Sequence, residues 1–447
     1  MFINPGRWAP VSYLVTCSSV LVFATIVATP AAAQTDGDAP PGHGLLSVDE
    51  AVDLALMHNP RLAAVAAQAD ALGFVPSQAG ALPDPVVSIN ALNLPVDTFN
   101  LDQEPMTQMQ LAVSQSFPFP GKRKLRRAAA ESEADAGHAS VAEQRDMLTG
   151  SVRSAWWRLL YLDQALLIVD QNMDLMRDFI EIAETKYSVG TGLQQDVLLA
   201  QLELSRLLDR EARLKGRREN AQAVLNALLD RRPDRSLTLD PSTINAKLPE
   251  LPPEPSLLSY AAESRDLLSV HRHLIAAADE RLALAERDKY PDFRIGAGYG
   301  FRQGDDPLRG TDRSDFFSLM LSVNVPLYFG SKQSKAIDQR GSERAQRKFA
   351  FNDVLRSIEA DVSRNLATYE SARKQVQILE MAIIPQAQHT VAAMLAAYQV
   401  NEVDFLNVIN GQLTLYNAQI NYWEALGEAK RSLAALAAAV GMENLYE

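Results

Sequence analysis

Apolar positions along this chain keep two different periods, and the two periods alternate. From Leu159 they recur every seventh residue, at Leu166, Met173, Ile180 and Tyr187, with Leu162, Val169, Met176 and Ala183 on a second seam. Strict heptad spacing of this kind predicts coiled-coil packing along one helix, from about Lys122 to Tyr187. No proline interrupts that stretch, and at 1.5 Å per residue the helix would reach roughly 100 Å. The device returns at Leu355, Val362, Tyr369, Val376 and Ile383, with Ile358, Ala372 and Leu379 between them and Pro385 predicting a kink or break. Elsewhere the period falls to two. Val87, Ile89 and Ala91 alternate with Ser88 and Asn90, and Met109, Leu111 and Val113 with Gln110, Ala112 and Ser114. Further on, Phe293, Ile295, Ala297, Tyr299 and Phe301 oppose Arg294, Gly296, Gly298, Gly300 and Arg302. Phe317, Leu319, Leu321, Val323 and Val325 then oppose Ser318, Met320, Ser322 and Asn324. Alternation of apolar and polar faces over about ten residues is the pattern of a membrane barrel strand. Polar, turn-rich segments, 94–105 and 303–314, join each pair as a hairpin.

Around these elements the chain repeats itself. Tyr187-Ser188-Val189-Gly190-Thr191-Gly192 is answered by Tyr398-Gln399-Val400 at an offset of 211, and Val197 and Gln201 by Val408 and Gln412. Upstream the offset is 208: Pro83-Asp84 matches Pro291-Asp292, and Leu111, Ser114 and Pro118 match Leu319, Ser322 and Pro326. Gly121-Lys122 corresponds to Gly330 and Lys332 after a small slip. Such a unit is too long for a solenoid repeat and implies a duplicated domain. Residues 47–230 form the first copy and 256–441 the second, joined by a proline-rich linker, 231–255, with a tail at 442–447. Each long helix ends at its tyrosine motif, where Gly190 and Gly192 in one copy and Asn401 in the other make the turn. Return helices are expected at about 193–230 and 403–440. Shorter helices are expected at 47–81, capped by Ser47 with Glu50 and broken at Pro60, and at 256–288.

The first 33 residues form a secretory signal: Arg7 is their only charge, Tyr13 to Val27 are mostly apolar, and Ala31-Ala32-Ala33 precedes Gln34. Cys17, the chain's single cysteine, lies within it in a poor context for lipid attachment, so disulfides and thiolate metal sites are excluded from the mature chain. Residues 34–46 are rich in Gly, Pro and Asp and expected to be flexible. The net charge of -12 becomes one unit more negative without Arg7, which argues against a nucleic-acid partner.

The fold class is therefore mainly α with a membrane β-barrel portion: coiled-coil hairpins plus four strands per protomer. Four strands cannot close a barrel, and lipid does not tolerate open edges, so the strands must enter a barrel shared among subunits. The Pro83-Asp84-Pro85 lead-in, the Gln115-Ser116-Phe117-Pro118-Phe119-Pro120-Gly121-Lys122-Arg123 exit and the paired tyrosine tips resemble the TolC family of outer-membrane efflux proteins, across essentially the whole mature chain. The resemblance implies a homotrimer with a twelve-stranded barrel in outer-membrane lipid and a helical tunnel in the periplasm. It also implies a periplasmic membrane-fusion adaptor and an inner-membrane pump of the resistance-nodulation-division type. The Phe-Pro-Phe-Pro-Gly-Lys-Arg run looks most like the heavy-metal cation efflux branch. Other cargo, organic solutes or proteins, stays open at this stage. A different class, a periplasmic adaptor without a pore, would carry one hairpin and a soluble β-domain.

Relatives place carboxylates nine and twelve residues after the second tyrosine; here those positions are Asn407 and Asn410. Glu402 and Asp404 on the turn, and Asp196 at the ninth position of the first copy, complete the candidate constriction, with solvated helix entrances as the plainer reading of Glu402 and Asp404. Pro118, Pro120, Gly121, Lys122 and Arg123, with Pro326, Gly330 and Lys332, mark the barrel-to-helix junctions, and the basic run Lys122–Arg127 could meet lipid headgroups or solvent. His271 and His273 are two apart on a helix and share no face, so exposed histidines outweigh a metal site. Met106 and Met109 read as barrel packing. No phosphate loop, nucleophile–base pair or acid pair stands out, so neither enzyme nor cofactor is expected.

Overall fold

The computed structural model describes residues 45–446 except 241, 243–245, 307–308 and 401. The signal segment, residues 34–44 and Asn401 lie outside the described residues. The first copy opens with α1 (Val48–His58), α2 (Pro60–Gly73) and α3 (Val75–Gly80). The Ser47–Glu50 capping box forms as expected. Asn59, extended in backbone, ends α1 and caps α2. The expected single break at Pro60 is joined by a second at Phe74, because Pro76 lacks the amide that would continue the helix.

Strands β1 (Val86–Leu92) and β2 (Gln108–Phe117) lead into α4 (Lys122–Ser188) and its return α5 (Gln194–Leu228). In the second copy the expected helix 256–288 is two, α6 (Glu254–Ser264) and α7 (Asp266–Arg287). Arg265 between them has the same extended backbone as Asn59. Its side chain cannot cap α7, so Glu143 reaches from α4 to accept from Leu267 N–H at 3.1 Å while holding the Arg265 guanidinium. Strands β3 (Phe293–Phe301) and β4 (Phe316–Val323) follow, then α8 (Gln333–Ile378), α9 (Ile384–Gln399) and α10 (Phe405–Val440). Between α8 and α9 the helix does not break. Leu379–Ile383 widen into a π turn just before Pro385, which accommodates the amide missing there.

The strands form one antiparallel sheet in the order β1-β2-β3-β4, so β1 and β4 are unpaired at their outer edges. The register aligns Ile89, Leu111, Tyr299 and Phe317 across the sheet, and Val87, Val113, Ala297 and Leu319 beside them. All alternating apolar residues thus share one face, and it is exposed on every strand. On the other face, the glycines of β3 leave room for Gln108 and Gln110 of β2 to lie across them.

The long helices pack in the order α5, α4, α10, then α8 and α9. The second seam of the heptad is buried throughout, at Leu162, Val169, Met176 and Ala183, whereas Tyr187 and Ile383, assigned to seams, are exposed. Helices α1–α3 and α7 flank α4, and α6 and α7 flank α8. Leu46 corrects the expectation of a flexible 34–46 segment at its last residue: it is buried and bridges Leu239, and its carbonyl accepts from the fully buried Trp156 indole at 3.0 Å. The linker is likewise bound to the helices, with Asn226 donating to Pro233 and Arg235 carbonyls and Tyr369 to the Pro249 carbonyl. Tyr446 in the tail lies under the Arg153 guanidinium and accepts from the Trp157 indole at 2.6 Å.

Candidate functional site

At the first hairpin tip, α4 ends at Ser188 and Gly190 takes the left-handed conformation. The Thr191 and Gly192 amides both donate to the Lys186 carbonyl at 2.9 Å. A side chain at Gly192 would meet Lys186 within 3.0 Å, so any other residue there forces the turn to shift. At the second tip, Glu402 N–H donates to the Ala397 carbonyl at 2.9 Å, and Asp404 precedes the first turn of α10.

The two tips are tied to each other by Lys186. Its ammonium donates to the Tyr398 carbonyl at 2.8 Å and lies 4.0 Å from the centre of the Tyr398 ring. Tyr398 packs on Phe405 at 5.3 Å, and Phe405 on Phe179 at 6.0 Å. Tyr398 is therefore buried, while its counterpart Tyr187 is 51% exposed. Sequence reasoning missed Lys186. Its position in the second copy holds Ala397, and that difference between the repeats was the available signal.

The candidate constriction residues divide. Asp196 is buried. Burial raises its carboxyl above the usual range, nearby Asp404 adds to this, and the Leu193 backbone and Lys186 oppose it. Glu402, Asp404, Asn407 and Asn410 are exposed, and Asn407 and Asn410 share the outer face of α10 with Thr414, Asn417 and Asn421.

At the root of the sheet the first junction is closed. Gly121, left-handed, starts α4 and places Lys122 in a site only 3% exposed. Its ammonium reaches Asp292 at 2.9 Å, Asp288 at 3.3 Å and the Tyr290 carbonyl at 3.0 Å. Asp292 also accepts from Phe119 N–H at 2.8 Å, and the Phe119 ring stacks on Tyr290 at 4.6 Å. Burial works against the Asp292 carboxylate, yet the Phe119 amide and the Lys122 ammonium hold it below its ordinary range. Arg123 donates to the Gly80 carbonyl, and Arg287 to that of Pro120 beside Pro118. Lys122 and Arg123 are thus occupied within the chain, against the reading of the whole basic run as free to meet headgroups. The second junction is open: Gly330 and Lys332 are exposed and Pro326 half-buried.

His271 and His273 are half-buried on α7 rather than exposed. Burial, with Arg347 nearby, lowers the His271 imidazole. Among the described residues no group of three or more His, Cys, Asp or Glu side chains could hold a metal. Met106 is exposed and Met109 half-buried within β2. No helix of the described residues is long and apolar enough to cross a membrane.

A family model described as outer membrane efflux protein matches residues 51–231 and 257–442, one segment per copy. The chain belongs to that family. Its place is the outer membrane, and it is a transport protein, not an enzyme. Among curated proteins it is similar to the cobalt-zinc-cadmium resistance protein CzcC of Cupriavidus metallidurans, 23% identical over 397 residues that cover 86% of this chain and 87% of that one. Among solved structures it shares its fold with the outer membrane protein VceC of Vibrio cholerae (TM-score 0.72, 18% identity, covering 90% of this chain and 97% of that one). It also shares it with CusC (TM-score 0.72, 16% identity, covering 88% and 92%).

Proposed function

We propose that this efflux protein is the outer-membrane conduit of a tripartite system, assembled as a homotrimer that closes a twelve-stranded barrel. An inner-membrane pump of the resistance-nodulation-division type and a periplasmic adaptor deliver cargo to its helical tunnel. The observation that carries this reading is the sheet: one continuous apolar face and two unpaired edges, a combination that lipid permits only in a closed barrel. Heavy-metal cations are the favoured cargo, supported by the likeness to CzcC and by the Phe-Pro-Phe-Pro-Gly-Lys-Arg run. Deletion of the protein should sensitise its host to cobalt, zinc or cadmium; unchanged metal tolerance with lost tolerance to organic solutes would reassign the cargo.

The tips form the gate in this reading. Asn407 and Asn410, three of each in the trimer, give a polar but uncharged constriction, with Glu402 and Asp404 at its mouth. Asp196 faces inward between the chain's own hairpins. Hydrogen bonds from the amides to neighbouring hairpins hold the tip closed. Bilayer recordings of Asn407→Ala/Asn410→Ala should show a raised closed-state current, and an unchanged one would refute the amide gate.

A further inference from the structure

The two copies meet inside this chain along one seam, where β2 pairs with β3 and Lys122 is gripped by Asp292. The repeat offset converts that seam into a second one. Adding 208 to a residue of β2 gives its counterpart in β4, and subtracting 208 from a residue of β3 gives its counterpart in β1. Ser114 opposite Gly296 becomes Ser322 opposite Ser88, and Val113 opposite Ala297 becomes Leu321 opposite Ile89. Gln115 opposite Ile295 becomes Val323 opposite Val87. The shifted register keeps apolar against apolar on one face, which a slip of one residue would destroy.

The surroundings of the seam transfer as well. The stacked Phe119 and Tyr290 map onto Leu327 and Leu82, which are 80% and 39% exposed in the single chain. Asp292 maps onto Asp84 at the same offset, whereas Lys122 corresponds to Lys332 only after the two-residue slip at this junction; both Lys332 and Asp84 are exposed and they are of opposite charge. Asp288 maps onto Gly80, so the second lysine meets one carboxylate where the first meets two. Every one of these residues lies at β1 or β4, the unpaired edges, or at their roots.

We propose that β4 pairs antiparallel with β1 of a neighbouring copy, in the register that sets Ser322 opposite the partner subunit's Ser88, and that Lys332 is clamped by the partner subunit's Asp84. The proposal rests on the trimeric channel reading and adds to it a register and an ion pair.

Cysteines directly opposite on adjacent strands lie about 5 Å apart at Cβ, and those two residues out of register about 7–8 Å. In a Cys17→Ser background, Ser88→Cys with Ser322→Cys should give covalent dimers and trimers on non-reducing gels after copper–phenanthroline oxidation of membranes. Either single cysteine should give monomer, and Asn90→Cys with Ser322→Cys should cross-link less. Stronger cross-linking of the Asn90 pair, or none for the Ser88 pair in membranes that still yield pores, overturns the register. For the clamp, Lys332→Glu and Asp84→Lys should each lower the detergent-resistant trimer by roughly threefold or more, and the double exchange should restore it. Failure of the exchange to restore trimer overturns the clamp, with the cross-link arm unaffected. Absence of pores and trimers from the unaltered protein would instead refute the channel reading.

Discussion

The two copies are unequal at both ends of the molecule, and in opposite senses. At the root of the sheet the first copy's Lys122 is buried under second-copy carboxylates, while Lys332 is exposed. At the hairpin tips the second copy's Tyr398 is buried under first-copy Lys186, while Tyr187 is exposed. In the proposed trimer the repeats occupy alternating places around a ring, and only one of the two kinds of boundary between them falls inside a chain. Exposure in one chain therefore marks the other boundary, not a dispensable residue.

The largest test of this contrast is at the root. Lys122→Met leaves Asp288 and Asp292 facing each other without their cation. We expect a loss of about 2–4 kcal/mol in denaturant unfolding of the detergent-solubilised protein, discounted from a fully buried pair because both carboxylates retain solvent. Lys332→Met should cost under about 1 kcal/mol on the same measure; equal losses would break the contrast. Next is the tip, where Tyr398→Ala should cost about 2–3 kcal/mol of local stability by hydrogen exchange in α9, and Tyr187→Ala under about 1 kcal/mol. If both exposures of the motif prove equivalent, the tie through Lys186 is not what distinguishes them.

A smaller effect is expected at the turn itself. Gly192→Ala should lower protection of the Thr191 amide and cost about 1–2 kcal/mol, since the new methyl meets Lys186. The smallest is a pH effect confined to the first tip. Burial raises the Asp196 carboxyl, so the folded tip favours its neutral form. Protonation then relieves the tip: its stability rises as pH falls through the raised value, and the penalty is complete above it. Asp196→Asn should flatten that dependence in tip exchange rates, whereas Asn407→Ala should leave it in place.

Much of this was legible from residue periods. Heptads located the long helices and the two-residue alternation located all four strands, because both patterns are fixed by which face is covered. Where partners come from distant parts of the chain, the sequence was silent. The division at Arg265 depends on Glu143 more than a hundred residues away, and the π turn is one of several ways to accommodate Pro385. The basic run after β2 was ambiguous for the same reason: burial of Lys122 is decided by Asp288 and Asp292. At the candidate gate, position along the repeat identified Asp196 and Asn407 as equivalents, yet one is buried and the other exposed. A repeat offset carries no information about which boundary a residue faces.

The 67-residue span of α4 has a consequence for how such a protein can change. Deleting one residue from a helix shortens it by about 1.5 Å but also turns everything beyond by about 100°. Tyr398 would then leave Lys186, and the α4 seam would leave α10. Only removals near seven residues restore the facing, and they must be matched in the return helix and in both copies. Reach is thus graduated in steps of about 10 Å. Lineages can lengthen or shorten this conduit only by insertions or deletions that occur four times over, in register.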